Sequence, residues 1–275
     1  MNKNQRIRVA QWGLGAMGQG VAKVILAKQG LELVGAFDIR PELAGKDVGE
    51  VLGVEPAGVV VSDDPASILD PAKVDVITIA TTSWVAKQLP DLKRIISAGI
   101  NVVSIAEEMA APEAQNPEIA AELDALAKKH GVSAIGVGVN PGFVLDHLVV
   151  VLTAGSQEVT SIEASRINDL SPYGETVLST QGVGTTPEEF RAGVADGSIV
   201  GHVGFPESVR LISDALGLGV DRVEQTLEPI IAKVPRQARG QVIEPGRVAG
   251  CNHIAACYSG GEQVIRLVHP QQVDP

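Results

Sequence analysis

Two adjacent carboxylates, Glu107 and Glu108, follow the apolar run at residues 101–105. At the carboxyl end of a buried strand one of them would be partly desolvated, its pKa raised, and so able to exchange protons near neutrality. The same pair would suit the first turn of a following helix, at the positive end of its dipole, and spacing alone leaves both readings open. A second motif lies near the amino terminus. Val9-Ala10-Gln11-Trp12-Gly13-Leu14-Gly15-Ala16-Met17-Gly18 carries G-x-G-x-x-G between a short apolar strand and an apolar helical pattern. Gly13 allows the tight turn, Gly15 lets the backbone approach a pyrophosphate, and Gly18 lets helix and strand pack closely. Leu14, Ala16 and Met17 complete the turn and open a helix whose leading amides would face the phosphates. These ten residues predict an NAD or NADP cradle.

The elements that position these groups follow in order. Residues 16–29 read as the first helix, closed by Gly30, and 31–39 as the second strand. That strand ends at Asp38, 20 residues beyond Gly18, where a carboxylate accepts from the adenosine ribose and favours NAD. Arg40 pulls the other way, since a guanidinium there could pair with the 2′-phosphate of NADP. Residues 58–62 and 74–80 read as further strands, with a short helix-like segment between them. The second of these runs into Thr81-Thr82-Ser83, hydroxyls that either face the cofactor or cap the helix at 84–98. Pro90 marks a kink or break in that helix. A helix at 116–130 leads to a sixth strand at 132–139, which ends in Asn140-Pro141-Gly142-Phe143 and brings an amide and an aromatic to the same crevice. The alternation predicts an α/β protein, a Rossmann doubly wound parallel sheet over residues 1–140.

From residue 141 to 275 the pattern becomes α+β. A connecting helix at 142–152 carries Asp146 and His147, and residues 159–167 alternate as an antiparallel strand would. Helices at 188–195 and 207–216, and long strands at 220–231 and 248–268 joined by a polar turn region, complete a substrate-binding domain. The Gly-rich loops at 181–186 and 201–204 suit a lid or plain connections. His202 and His253 are each a possible proton donor or a satisfied polar residue.

Composition excludes several classes. A net charge of −11 argues against a nucleic-acid or anionic-membrane surface. No run approaches the roughly 18 apolar residues of a membrane span. Cys251 and Cys257 lack metal-ligand spacing and form no secreted disulfide framework, which points to reduced thiols in the cytoplasm. No His/Cys/Asp/Glu cluster has zinc spacing, and no G-x-S-x-G elbow supports acyl-transfer hydrolysis.

Four segments together carry a resemblance: Gln11-Trp12-Gly13-Leu14-Gly15, Gly45-Lys46-Asp47-Val48-Gly49, Ser104-Ile105-Ala106-Glu107-Glu108 and Gly138-Val139-Asn140-Pro141-Gly142-Phe143. With Asp169-Leu170-Ser171-Pro172-Tyr173-Gly174 and Gly201-His202-Val203-Gly204-Phe205-Pro206, the chain resembles 2,4-diaminopentanoate dehydrogenases and the related native amine dehydrogenases. The resemblance implies a homodimeric NAD(P)-dependent enzyme that interconverts an amine and a ketone plus ammonia. It implies that a glutamate after the fifth strand positions ammonia and moves protons; Glu108 matches that position best, with Glu107 the fallback. Asn140, Phe143, Tyr173 and His202 would line the substrate pocket, with Asn140 also near the cofactor. Members of the family usually continue for several dozen residues past this end, so the short tail at Val273-Asp274-Pro275 suggests a fragment or shortened variant. The rival readings are a dihydrodipicolinate-reductase-like imine reductase, whose His-His-x-x-Lys segment is absent here, and a non-catalytic NAD-binding homologue.

Overall fold

The computed structural model describes residues 6–238 and 240–275 and divides into two units, Met1–Gly138 and Val139–Pro275. The first unit contains β1 (Ile7–Trp12), α1 (Ala16–Ala27), β2 (Leu31–Phe37), α2 (Val48–Leu52), β3 (Val61–Ser62), β4 (Val76–Ile79), α3 (Val85–Ser97), β5 (Asn101–Ser104), α4 (Pro117–His130) and β6 (Ala134–Gly136). Its six strands are all parallel and run in the order β3-β2-β1-β4-β5-β6. That order reverses direction at β1, and dinucleotides bind outside the strand ends at such a reversal.

Successive residues of β1 enter opposite cores, as the two-residue period of a strand demands. Val9 packs with Leu14, Ala22, Ile25 and Leu33 on the α1 face. Ala10 and Trp12 pack with Ile77, Ile79, Leu92, Ile95 and Val102 on the face covered by α3 and α4. Pro90 does not break α3, which continues to Ser97. The helix runs through it because Val85, Gln88, Leu92, Ile95 and Ile96 form one buried face spanning both sides of the proline.

The second unit holds α5 (His147–Leu152), β7 (Ile162–Ser165), β8 (Asn168–Asp169), α6 (Glu175–Thr180), α7 (Pro187–Asp196), α8 (Phe205–Leu216), β9 (Arg222–Ile231), β10 (Arg236–Ala238), β11 (Gln241–Ile243), β12 (Val248–Ser259) and β13 (Glu262–Gln272). β12 lies between β9 and β13, antiparallel to both, and its alternate residues Ala255 and Cys257 are buried with Phe205, Val209 and Ile212 of α8. β7 and β8 pair with β13 in parallel, so the antiparallel expectation for residues 159–167 is corrected. Alternation reports which face of a strand is buried; it says nothing about chain direction. The polar region expected as a turn at 232–247 contains the paired strands β10 and β11, and the run expected as one strand at 248–268 is two, β12 and β13, folded back on each other at 260–261.

Candidate active site

The glycine motif folds as its chemistry requires. Gln11 is fully buried and braces the turn: its Nε2 donates to the Gly13 carbonyl at 2.9 Å, and its Oε1 accepts from the Thr78 hydroxyl at 2.7 Å. Gly13 has φ +88°, a conformation costly for any side chain, and a Cβ at Gly18 would stand 2.0 Å from the Gly13 carbonyl oxygen. Around Gly15 there is open space where a Cβ would be. Gly15 opens α1 with no side-chain cap and no acid in the first turn, leaving the leading amides and the positive dipole end for an anion. Ala16 and Met17 are exposed there, while Leu14 is buried in the core. A bare helix start beside a crowded glycine turn fits a dinucleotide pyrophosphate, and these residues would hold NAD or NADP.

Asp38 closes the cradle at the end of β2. Its Oδ2 accepts from the Leu14 N–H at 2.7 Å and from Arg40 Nη2 at 2.9 Å. Its Oδ1 accepts from the Arg40 N–H at 3.0 Å and from Arg40 Nε at 2.8 Å. Burial pushes the Asp38 carboxyl up, but the Arg40 fork and the two backbone donors outweigh it and hold the group below its ordinary value.

The acid pair stands at the carboxyl end of β5, on a single 3-10 turn, Glu107–Ala110. A buried relay positions that turn. Ser104 Oγ donates to Gln88 Oε1 at 2.6 Å and accepts from the Ala106 N–H at 3.0 Å, while Gln88 Nε2 donates to Thr81 Oγ1 at 3.3 Å. Thr82 Oγ1 accepts from the Trp84 N–H at 3.3 Å, just ahead of α3. The cap of α3 itself comes from elsewhere: Glu108 Oε2 accepts from the Val85 N–H at 2.7 Å. The acids do begin the short 3-10 turn, as expected, and Glu108 in addition caps α3. Glu107 is half-buried and hydrogen-bonds the Ser83 side chain. Burial pushes its carboxyl above the ordinary value, its own backbone and Ser83 oppose this, and the Glu108 charge adds to it. Both carboxylates thus converge on residues 83–85.

In the second unit Asn140 and His202 meet, 2.7 Å apart. Asn140 Oδ1 accepts from the Leu145 N–H at 3.0 Å, which turns its NH2 toward His202 Nε2 and assigns the His202 proton to Nδ1. The His202 N–H donates to His253 Nδ1 at 3.0 Å. His269 Nδ1 lies 2.7 Å from the Arg166 carbonyl and donates to it, so its Nε2 accepts from Arg166 Nη1 at 3.0 Å. Burial keeps all three imidazoles neutral: His253 and His269 are lowered to about 4, and His202 well below its usual value. Phe205 sets its ring edge to face against His202 and His253, with centroids 4.9 and 4.8 Å away. Arg166 is half-buried, which lowers its pKa, and among the described residues no carboxylate forms an ion pair with it. Tyr173 lies within electrostatic reach of Arg166 and packs against Leu170 and Leu178. Phe143 stays half-exposed, outside this cluster.

Arg166 and His269 are the residues that sequence reasoning missed. They are 103 positions apart and meet only because β7 and β8 flank β13 in parallel register. The nearest signal was the Asp169-to-Gly174 segment, a few residues past the arginine.

Comparison with known proteins agrees over both units. Residues 143–275 match the family model of the 2,4-diaminopentanoate dehydrogenase C-terminal domain, and residues 7–104 that of the dihydrodipicolinate reductase N-terminus. The chain is 41% identical to the 2,4-diaminopentanoate dehydrogenase of Acetoanaerobium sticklandii, over 98% of this chain and 77% of that protein. It is 27% identical to an amine dehydrogenase of Streptomyces virginiae, over 80% of this chain and 62% of that one. An amine dehydrogenase structure from Mycobacterium smegmatis superimposes with TM-score 0.85 at 28% identity, covering 100% of this chain and 81% of its own. The reductase likeness is confined to the nucleotide-binding half, whereas the dehydrogenase likeness runs through both. The chain belongs to the 2,4-diaminopentanoate dehydrogenase family, and it is an NAD(P)-dependent oxidoreductase of the amine dehydrogenase kind.

Proposed function

We propose that this chain deaminates a carboxylate-bearing amine of the 2,4-diaminopentanoate type and aminates the matching ketone in reverse. Arg166 carries this reading: a half-buried guanidinium that has no carboxylate partner among the described residues is costly in a folded domain, and a substrate carboxylate would offset it. His269 holds that guanidinium by Nη1 and leaves its other donors for the ligand. A dinucleotide held by Gly13, Gly15 and Gly18 would supply the hydride acceptor for the carbon bearing the neutral amine, and water would complete the balance to ketone, ammonium and reduced dinucleotide. Glu108, its Oε2 fixed on Val85, presents Oε1 to the substrate nitrogen. Glu107, raised by burial, takes and returns the proton. Within the second unit Asn140 and His202 contact the substrate, and Tyr173 supplies apolar surface. The enzyme works as a cytoplasmic homodimer, in keeping with the family likeness and with two buried free thiols, Cys251 and Cys257.

The test is amine oxidation with 2,4-diaminopentanoate and with 2-aminopentane, each with NAD and NADP. The carboxylate substrate should lead in kcat/KM by about tenfold or more, and Arg166→Met should erase that lead mostly through KM. Equal rates for the two amines in the wild type would sink the carboxylate reading.

A further inference from the structure

The buried face of α3 carries one polar residue. Val85, Leu92, Ile95 and Ile96 pack with Ile77, Ile79 and Val102, and Gln88 stands on the same face with no exposed surface. An apolar side chain of the same length would fill that space with no amide to satisfy, so packing alone does not account for a glutamine. Both ends of the amide are used. Ser104 Oγ accepts from the Ala106 N–H at 3.0 Å and donates its own proton to Gln88 Oε1 at 2.6 Å, which turns Gln88 Nε2 toward Thr81 Oγ1 at 3.3 Å. Each neighbour leads to one half of the candidate site. Ala106 opens the 3-10 turn that carries Glu107 and Glu108. Thr81 lies against the glycine turn, since a Cβ built on Gly13 would stand 3.1 Å from Thr81 Cγ2. A buried relay of this kind holds one arrangement, because a member that moves leaves its partner unpaired.

We propose that Gln88 is a positioning residue for the proton step. Through Ser104 it sets the acid turn, and through Thr81 it registers that turn to the dinucleotide cradle, so the acid pair and the glycine turn keep a fixed spacing. With no exposed surface it touches neither substrate nor dinucleotide. This rests on the roles given above to Glu107 and Glu108 and adds the residue that places them.

Gln88→Met keeps the side-chain length and removes the amide. It should lower kcat for 2,4-diaminopentanoate oxidation by about tenfold or more, with the NADH Kd and the amine KM within about threefold of wild type. Ser104→Ala should do the same from the other end of the relay, and the double variant should lose little more than either alone, since both cut one connection. In a Glu107→Gln background Gln88→Met should lower kcat by less than about threefold, because the proton acceptor it places is already gone. A residue that merely fills the core would lower Tm and leave kcat of the folded enzyme unchanged. Should Gln88→Met fail to fold, Ser104→Ala carries the same comparison. If Glu107→Gln alone leaves kcat unchanged, the acid reading falls and this proposal with it. If Glu107→Gln lowers kcat while Gln88→Met and Ser104→Ala do not, or if their losses multiply in full with that of Glu107→Gln, this proposal falls alone.

Discussion

At the scale of single residues, the proposed reaction divides the work between two glutamates that are held differently. Glu108 is buried and spends one oxygen on the Val85 N–H, so its orientation is fixed before any substrate arrives. Glu107 keeps a looser hold through Ser83 and carries the raised pKa of a desolvated acid. A general base must be ionised to act, so turnover should fall as pH drops through the raised Glu107 range. Glu107→Gln should lower kcat by about 10²–10⁴-fold, leave the dinucleotide Kd unchanged, and abolish that acidic limb of the pH–rate profile. A profile that keeps the limb in Glu107→Gln would pass the proton role to Glu108.

At the scale of elements, the junction of β1 with α1 is the candidate cofactor cradle, and its glycines are not equivalent. Gly18 is pressed against the Gly13 carbonyl, whereas Gly20, on the exposed side of the same helix, has nothing within 4 Å of a would-be Cβ. Gly18→Ala must push helix from strand, and it should both lower Tm and weaken NADH binding, read by thermal melting and titration. Gly20→Ala adds helix propensity at no steric expense and should stabilise the fold by about 0.5–1 kcal/mol with binding unchanged. The α3 start answers to a different logic. Its cap is supplied from residue 108, so Glu108→Ala should cost about 0.5–2 kcal/mol of stability in addition to any loss of turnover. A Tm unchanged in Glu108→Ala would show that the Val85 bond contributes nothing to the fold.

At the scale of the whole molecule, three buried neutral histidines set the response to acid. In the unfolded chain each imidazole gains its proton near pH 6.5, whereas in the native state His253 and His269 hold out to about 4 and His202 is also strongly depressed. The unfolded state therefore binds more protons over that window, and stability must fall as pH falls. The loss should reach about 2 kcal/mol for each of His253 and His269 between about pH 8 and about pH 5, with His202 acting in the same direction. Glu107 and Asp91 act with the opposite sign, since burial raises their native pKa, but they are two groups against three. Asp38 and Asp75, both lowered in the folded protein, matter only nearer pH 4 and below. Denaturant melts across that pH range should show a steady decline, and His253→Gln should flatten it. Stability constant from neutrality to about pH 5 would rule out neutral burial of the three rings.

The sequence by itself determined the first unit. Strands 1 to 6, the cradle at Gly13 to Gly18 and Asp38 were legible because parallel strands buried on both faces read as near-continuous apolar runs, and because a phosphate turn demands glycine at fixed local spacing. The carboxylates at 107 and 108 were visible for the same reason: they directly follow a strand end. Only the tertiary structure decided which acid caps which helix, that Arg40 closes over Asp38, and that β7 runs parallel to β13. It alone brought Arg166 to His269 and His202 to His253, because those pairs lie 103 and 51 residues apart. Local periodicity encodes which face of an element is buried. It does not encode which distant strand will lie alongside, and a half-buried guanidinium looks in sequence like any other arginine.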